Sequence, residues 1–302
     1  MAPVPDDSWL REVCEPAERA IEEAREKLRL DDETHRRGNF PALAVGISHG
    51  GGQEVGVVQQ HFANVCSQAN LPTPAAPWHS KEQHPQHPPS ERAGSTSLRQ
   101  ATCWACKQLG PFSLHLYDKL TVAAGFFKAY APRLYAYYME TLDRLVDWMP
   151  SKIKRVYEGT AFAAITFNLG PRTVSFRHLD WANLAWGWCA ITALGSFDAD
   201  EGGHLVLWNL GLVIRFPRGT TMLIPSAMVE HGNTCVGPGQ TRFSIAQYSA
   251  SGLFRWVDNG FMKDTAWLAQ ASEAEKTRRK ELQETRWVEG LKMLSSLSEF
   301  RS

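Results

Sequence analysis

After Pro150 the chain abandons helical periodicity for short apolar runs with turn residues between them: AFAAITFNLGP, GWCAITALGSF, GGHLVLWNLGLVIRFPRG, TTMLIPSAMVEHGN and TRFSIAQYSAS. Runs this short, punctuated by Gly, Pro, Asn and Ser, bury their apolar side chains by pairing with one another. They predict an antiparallel sandwich or barrel over residues 158–262. The flanks read differently. Leu10, Val13, Ala17, Ala20, Ile21, Ala24 and Leu28 recur at helical spacing between charges, which predicts an amphipathic helix from Ser8 to Leu30 within an N-terminal segment 1–38. An aromatic-rich helical pattern from Cys103 to Trp148 predicts supporting helices over 101–150, covering one face of a sheet, and Asp264 to Leu297 returns to a charged helix over 264–297. The expected class is therefore α+β.

Two stretches stand apart. Pro41 to Ser48 (PALAVGIS) reads as a short buried strand running into His49-Gly50-Gly51-Gly52-Gln53, whose glycines allow a tight turn or close approach of another backbone. Residues 70–100 carry Pro72, Pro74, Pro77, Pro85, Pro88 and Pro89 among Ser, Gln and His, too polar to pack, and are expected to form a mobile insertion.

Composition narrows the function classes. With 11 Trp, 14 Phe and 7 Tyr the chain has ample apolar area to bury, so it is not a disordered protein. Lys+Arg 32 against Asp+Glu 32 excludes a polybasic binder that holds nucleic acid by bulk charge. That balance is an average: residues 1–38 hold eleven acids and seven bases, leaving a mild positive excess for the remainder. The six cysteines are scattered, which fits a reducing compartment. Cys103-Trp-Ala-Cys106, with His79, His84 and His87 upstream, is too little for a zinc site, and packing is the better reading. The acidic start lacks a secretory pattern and no apolar run approaches the ~20 residues of a bilayer span, so an intracellular chain without a membrane segment is expected.

The chemistry lies in the β-rich half. His178-Leu179-Asp180 is followed by His231, and then by Arg242 and Ser244 in Arg-Phe-Ser. Two His and one carboxylate are the ligands of the facial triad of non-haem iron(II) oxygenases, which leaves three coordination positions open. On a strand, residues i and i+2 share a face, so His178 and Asp180 can both point at one ion; Asp180 just past the strand's end would serve equally. His-x-Asp alone is a weak signal, and its surroundings supply the discrimination. Gly202-Gly203-His204-Leu205 opens a strand pair, Phe216-Pro217-Arg218-Gly219 turns, Leu223 to Ser226 is a strand, and Pro238-Gly239 turns into Thr241-Arg242-Phe243-Ser244. His204 is expected to pack beside the sheet. The succession resembles the double-stranded β-helix (jelly-roll) of the 2-oxoglutarate-dependent oxygenases, where the matching Arg takes the C5 carboxylate of the cosubstrate in a planar bidentate contact.

A narrower resemblance lies in TFNLGP (Thr166 to Pro171), HLDWANLAWGWCAITALG (His178 to Gly195), GGHLVLWNL (Gly202 to Leu210), LIPSA (Leu223 to Ala227) and GLFRWVDNGF (Gly252 to Phe261), with GISHGGGQ and LYAYY (Leu134 to Tyr138). These strings resemble the TET/JBP family of nucleic-acid-base oxygenases, and its fungal, transposon-associated TET-like branch most closely. The similarity spans about residue 40 to 262 apart from the Pro-rich stretch. It implies that His178, Asp180 and His231 bind Fe(II), that Arg242 and Ser244 bind 2-oxoglutarate, and that O2 is the oxidant, with ascorbate as reductant in assay. It further implies that Tyr248 stacks on a flipped base and that Asn183 reaches the base edge. A His often found two residues beyond the stacking aromatic is here Ala250, which departs from the usual recognition of 5-methylcytosine.

The implied activity is oxidation of methylated bases in double-stranded DNA, 5-methylcytosine and N6-methyladenine both remaining open, by a nuclear monomer with the whole chain forming one catalytic domain. Lys152, Lys154, Arg172 and Arg177 are candidate phosphate contacts, with Arg155, Arg215, Arg255 and the Lys276–Lys280 cluster also basic. His49 and its glycines are a candidate DNA-facing element. The alternatives are a 2-oxoglutarate-dependent hydroxylase of protein or small molecule, and a catalytically silent nucleic-acid-binding module. The intact set of ligands weighs against the silent module, and the TET-like strings against the hydroxylase.

Overall fold

The alternation in the apolar runs is realised as sheets whose two faces do different work. The computed structural model describes residues 6–28, 34–35, 37–48, 99–101, 113–150 and 153–300. Among these the strands are β1 (Thr34–His35), β2 (Gly38–Asn39), β3 (Ala42–Ser48), β4 (Arg99–Ala101), β5 (Ala164–Asn168), β6 (Cys189–Leu194), β7 (Leu205–Leu207), β8 (Leu212–Ile214), β9 (Thr221–Ile224), β10 (His231–Asn233) and β11 (Phe243–Tyr248). They form a six-stranded sheet in the order β4-β3-β5-β11-β6-β9, a three-stranded sheet in the order β10-β7-β8, and the small hairpin β1-β2. All pairings are antiparallel. With the helices, this makes the protein α+β.

Helices cover one face of the large sheet. The N-terminal helix is less regular than its periodicity predicts: α1 (Asp7–Trp9) runs through a π-helical turn, Leu10–Cys14, into α2 (Glu15–Leu28). Cys14, Ala17 and Ile21 from this element meet Leu43, Ile165, Phe167, Leu194, Phe243 and Ile245 in one buried cluster. Helix α3 (Ser113–Tyr130) ends where Pro132 opens α4 (Pro132–Trp148), a position that needs no N–H donor. Phe127, Leu134 and Tyr138 of this pair pack with Phe162, Trp186 and Phe254. Beyond β11 come α5 (Ser251–Asp258), α6 (Asp264–Gln270) and α7 (Glu273–Lys292). The single helix expected over 264–297 is thus broken at Ser272, which caps α7 in a reciprocal box with Glu275. A Cβ on Gly290 would lie 2.3 Å from the Trp186 ring, so only glycine lets α7 sit this close.

The other face of the large sheet looks toward the three-stranded one. Because side chains alternate, Ile165 and Phe167 of β5 and Phe243 and Ile245 of β11 point at the helices, while Asn168, Ser244 and Tyr248 point the opposite way. Cys189 and Ala193 of β6 meet Leu205, Leu207, Phe216, Ile224 and Val229 in a second core between the sheets. The strand read at Pro41 to Ser48 is β3. The Pro-rich stretch at 70–100 lies outside the described residues apart from Arg99 and Gln100, as do His49 and its glycines, Cys103 and Cys106. Among the described residues no helix is long and apolar enough to cross a membrane.

One buried ion pair ties α2 to the sheet. Glu18, 9% exposed, receives Arg218 through both oxygens and accepts the Gly195 N–H at 2.7 Å. Glu18→Ala leaves a half-buried guanidinium with only the more distant Glu15 Oε1, 3.9 Å from its Nη2, and the Gly195 amide without its acceptor. The expected loss is about 2 kcal/mol of unfolding free energy, less than for a fully enclosed pair because Arg218 keeps 24% of its side chain in water. Urea denaturation followed by tryptophan fluorescence measures it, and an unchanged midpoint would show that the pair does not hold α2.

Candidate metal centre

Three donor groups converge in the cavity between the sheets. His231 opens β10, which pairs on one side with β7. On its other side His231 exchanges two backbone hydrogen bonds with His178: His178 N–H donates to His231 O at 3.1 Å and His231 N–H to His178 O at 2.9 Å. This antiparallel bridge sets the imidazoles side by side, ring centroids 4.3 Å apart. The segment carrying His178 is irregular rather than a strand, held by single bridges at Arg172 and His178. Asp180 lies past the bridge, the second of the two arrangements that the spacing allowed. Its N–H donates to Ser226 O at 2.9 Å and its carbonyl accepts from Asn183 N–H at 2.8 Å.

The imidazoles are oriented by their own backbone. His178 Nδ1 lies 2.7 Å from Phe176 O and His231 Nδ1 lies 2.9 Å from Val229 O. A carbonyl can only accept, so each Nδ1 carries the proton and each Nε2 turns a lone pair inward. His178 Nε2 is 3.8 Å from Asp180 Oδ1, and His231 Nε2 is 3.7 Å from Asp180 Oδ2. The three donors all lie within 4.8 Å of one another. A first-row divalent ion with bonds of about 2.1 Å needs adjacent donors about 3 Å apart, so shifts under about 1 Å close the cage. Burial and the neighbouring His231 hold His178 down to about 4, which leaves its imidazole neutral at pH 7 as ligation requires. The set fits a divalent metal ion.

Arg242 lies in the same cavity and is 2% exposed. Its Nη1 donates to Thr173 O at 3.3 Å, its Nε makes no hydrogen bond, and the Phe197 and Phe216 rings sit 5.9 Å from the guanidinium carbon. Burial lowers its pKa to about 10, so the group stays cationic at neutral pH. A buried cation with an unused donor fits an incoming carboxylate. Ser244 lines the cavity beside it, and its Oγ accepts from Asn168 Nδ2 at 2.8 Å. Cys189 also borders the cavity, but burial pushes its thiol up to about 12 and keeps it from acting as a thiolate.

The remaining sequence candidates divide. Tyr248 lines the cavity, half-buried, with its hydroxyl accepting from Thr166 Oγ1 at 3.3 Å. Asn183 is half-buried and donates to Ser226 Oγ at 3.1 Å; its backbone bridges Ala250. Arg172 and Lys154 are exposed, and Lys152 lies outside the described residues. Arg177 is exposed but pairs with Glu230 and lies over Trp208. Arg155, Arg215 and Arg255 pair with Asp143, Asp200 and Asp264. Lys276 and Arg279 pair with Glu273 and Asp264. His204 packs beside the sheet against Thr234 Oγ1 and stands apart from the donor cluster.

Three residues escaped the sequence reading. Asn233 sews the ligand-bearing segment to β10: its Oδ1 accepts from Ser175 N–H at 2.8 Å and its Nδ2 donates to Thr173 O at 3.0 Å. The HGN string held this signal, but an Asn after a histidine reads as a turn residue. Asn168 sat in TFNLGP with no role, although strand alternation puts it on the cavity face. Arg37 reaches Asp180 from the β1-β2 hairpin, and nothing in the sequence marks that contact.

No protein-family model and no curated protein matches this chain. Among solved structures, NgTET1 in complex with 5mC DNA matches with a TM-score of 0.28 and 14% identity, over 36% of this chain and 42% of that one. The match thus takes in under half of either chain. A likeness this slight carries neither fold nor function, which rest on the geometry above.

The purified protein is expected to bind one Co(II) or Mn(II) per chain. His178→Ala and His231→Ala should each weaken that affinity at least about 100-fold, each losing one of three ligands, with the circular dichroism spectrum retained. Titration calorimetry reads the affinity, and wild-type binding in either variant would remove that residue from the centre.

Proposed function

We propose that this chain is a TET-like iron(II)- and 2-oxoglutarate-dependent dioxygenase that oxidises methylated bases in double-stranded DNA, acting as a monomer in the nucleus. In this reading residues 158–262 form a double-stranded β-helix core, flanked by helices on one side, and the whole chain serves as one catalytic domain. The observation that carries it is the inward-facing pair of Nε2 atoms beside Asp180 in one cavity with a buried, unmatched Arg242. The TET-like strings support the choice of substrate.

Bound iron(II), with 2-oxoglutarate and dioxygen, would supply oxidation of a methyl C–H bond. His178, Asp180 and His231 would hold the ion. Arg242, whose Nε makes no hydrogen bond among the described residues, would take the C5 carboxylate of the cosubstrate. Ser244 Oγ accepts from Asn168 Nδ2, which leaves its hydroxyl proton free to donate to the same carboxylate. A base reaches the cavity only after leaving the duplex stack, at a cost of a few kcal/mol that an aromatic platform partly recovers. Tyr248, tethered through its hydroxyl to Thr166, offers a ring for that purpose. Asn183 spends its Nδ2 on Ser226, which leaves Oδ1 as an acceptor for an exocyclic amine. Cytosine and N6-methyladenine both carry such an N–H, so this contact admits either base. A 5-methyl group becomes a stable alcohol open to further oxidation, whereas an N-methyl group becomes a hemiaminal that loses formaldehyde. Arg172, Arg177 and Lys154, exposed at the surface, are candidates for phosphate contact.

Incubation with Fe(II), ascorbate, 2-oxoglutarate and duplexes carrying 5-methylcytosine or N6-methyladenine, followed by nucleoside mass spectrometry, tests this directly. Loss of one or both methylated bases with succinate release is expected. Absence of both results overturns the proposal. Tyr248→Ala should raise KM for DNA about tenfold with metal affinity unchanged, and wild-type kinetics would remove Tyr248 from the base site.

A further inference from the structure

Arg37 reaches the metal centre from a part of the chain remote from its ligands. Its Nη2 forms an ion pair with Asp180 Oδ1 at 2.8 Å, at an angle outside hydrogen-bond geometry, and that oxygen has no hydrogen-bond partner among the described residues. Its backbone carbonyl accepts the Phe176 N–H at 2.6 Å, and the carbonyl of Phe176 in turn receives the Nδ1 proton of His178. One residue therefore grips two ligands, Asp180 through its side chain and His178 through a peptide relay. The next residue makes that approach possible: a Cβ on Gly38 would lie 2.3 Å from Val174 O, so β2 packs this closely against the ligand-bearing segment only with glycine there. Arg37 keeps 32% of its side chain exposed while Asp180 keeps 13%, which puts the guanidinium at the cavity's rim and the carboxylate inside.

We propose that Arg37 is a positioning residue for the metal centre, holding Oδ1 of Asp180 so that the carboxylate presents Oδ2 alone to the ion. The inference rests on the reading of His178, Asp180 and His231 as a metal site. A carboxylate that binds through both oxygens occupies two coordination positions, and one that binds through a single oxygen leaves three open for other ligands. A guanidinium on Oδ1 blocks the first mode and fixes the second, as outer partners of metal ligands do. The opposite view makes the opposite prediction: a cation that only neutralises Asp180 competes with the metal, and its removal would tighten binding.

Cobalt(II) alone is the probe. The wild-type protein, R37K and R37Q are titrated with Co(II) by calorimetry and by visible absorption, with circular dichroism melts establishing that each is folded; R37M replaces R37Q if that variant does not fold. R37Q should bind Co(II) 10- to 100-fold more weakly with an altered ligand-field spectrum, and R37K should recover part of both through its single point charge. Equal or tighter binding by the neutral variant, with the wild-type spectrum, overturns the role of Arg37 while leaving the metal centre intact. Failure of the wild-type protein to bind Co(II) overturns the metal reading itself, and this proposal with it.

Discussion

The site depends on a single irregular stretch of chain, Pro171 to Asp180, that laces the two sheets together. At its start it joins the large sheet: Arg242 N–H donates to Pro171 O at 2.6 Å and Thr173 N–H to Arg242 O at 2.9 Å. At its end it joins the small one, through the Ser175–Asn233 contacts and the reciprocal pair between His178 and His231. A backbone that belongs to neither ladder must still satisfy its N–H and C=O groups, and here it does so by borrowing from both. That requirement brings the buried arginine just before β11 and the histidine of β10 into one cavity. Gly232 lets the borrowing happen at close range, since a Cβ there would stand 2.5 Å from Ser175 O.

The large sheet supplies the floor because its strands are asymmetric. Ile165 and Phe167 of β5, Leu194 of β6 and Phe243 and Ile245 of β11 face the helices, while Asn168, Cys189, Ile191, Ser244, Ala246 and Tyr248 line the cavity. A one-residue slip in register would exchange Phe243 for Ser244 and destroy core and site together. Helix packing and site geometry are thus two readings of one strand register.

The sheet and the donor set were legible in the sequence because both are local patterns. Short apolar runs with turn residues announce strands, and His-x-Asp followed by His, Arg and Ser announces a known chemistry. Less legible was whatever depends on distance in the chain. Arg37 lies 143 positions before the carboxylate it holds, and Glu18 lies 200 positions before Arg218; no periodicity links such pairs. Strand assignment failed around His178 because that segment draws its hydrogen bonds from two partners in turn and follows no period of its own. Nor does the sequence show that Arg155, Arg177, Arg215 and Arg255 pair with Asp143, Glu230, Asp200 and Asp264 in the fold.

The isolation of Arg242 has a thermodynamic meaning. A guanidinium that is 2% exposed, with one donor unused and no carboxylate paired with it among the described residues, carries a desolvation cost in the folded state. That cost sits on the wall of the cavity that holds the His178, Asp180 and His231 donors. An anion that paired with Arg242 would offset that cost, so binding at this wall and ordering of the cavity would be thermodynamically linked.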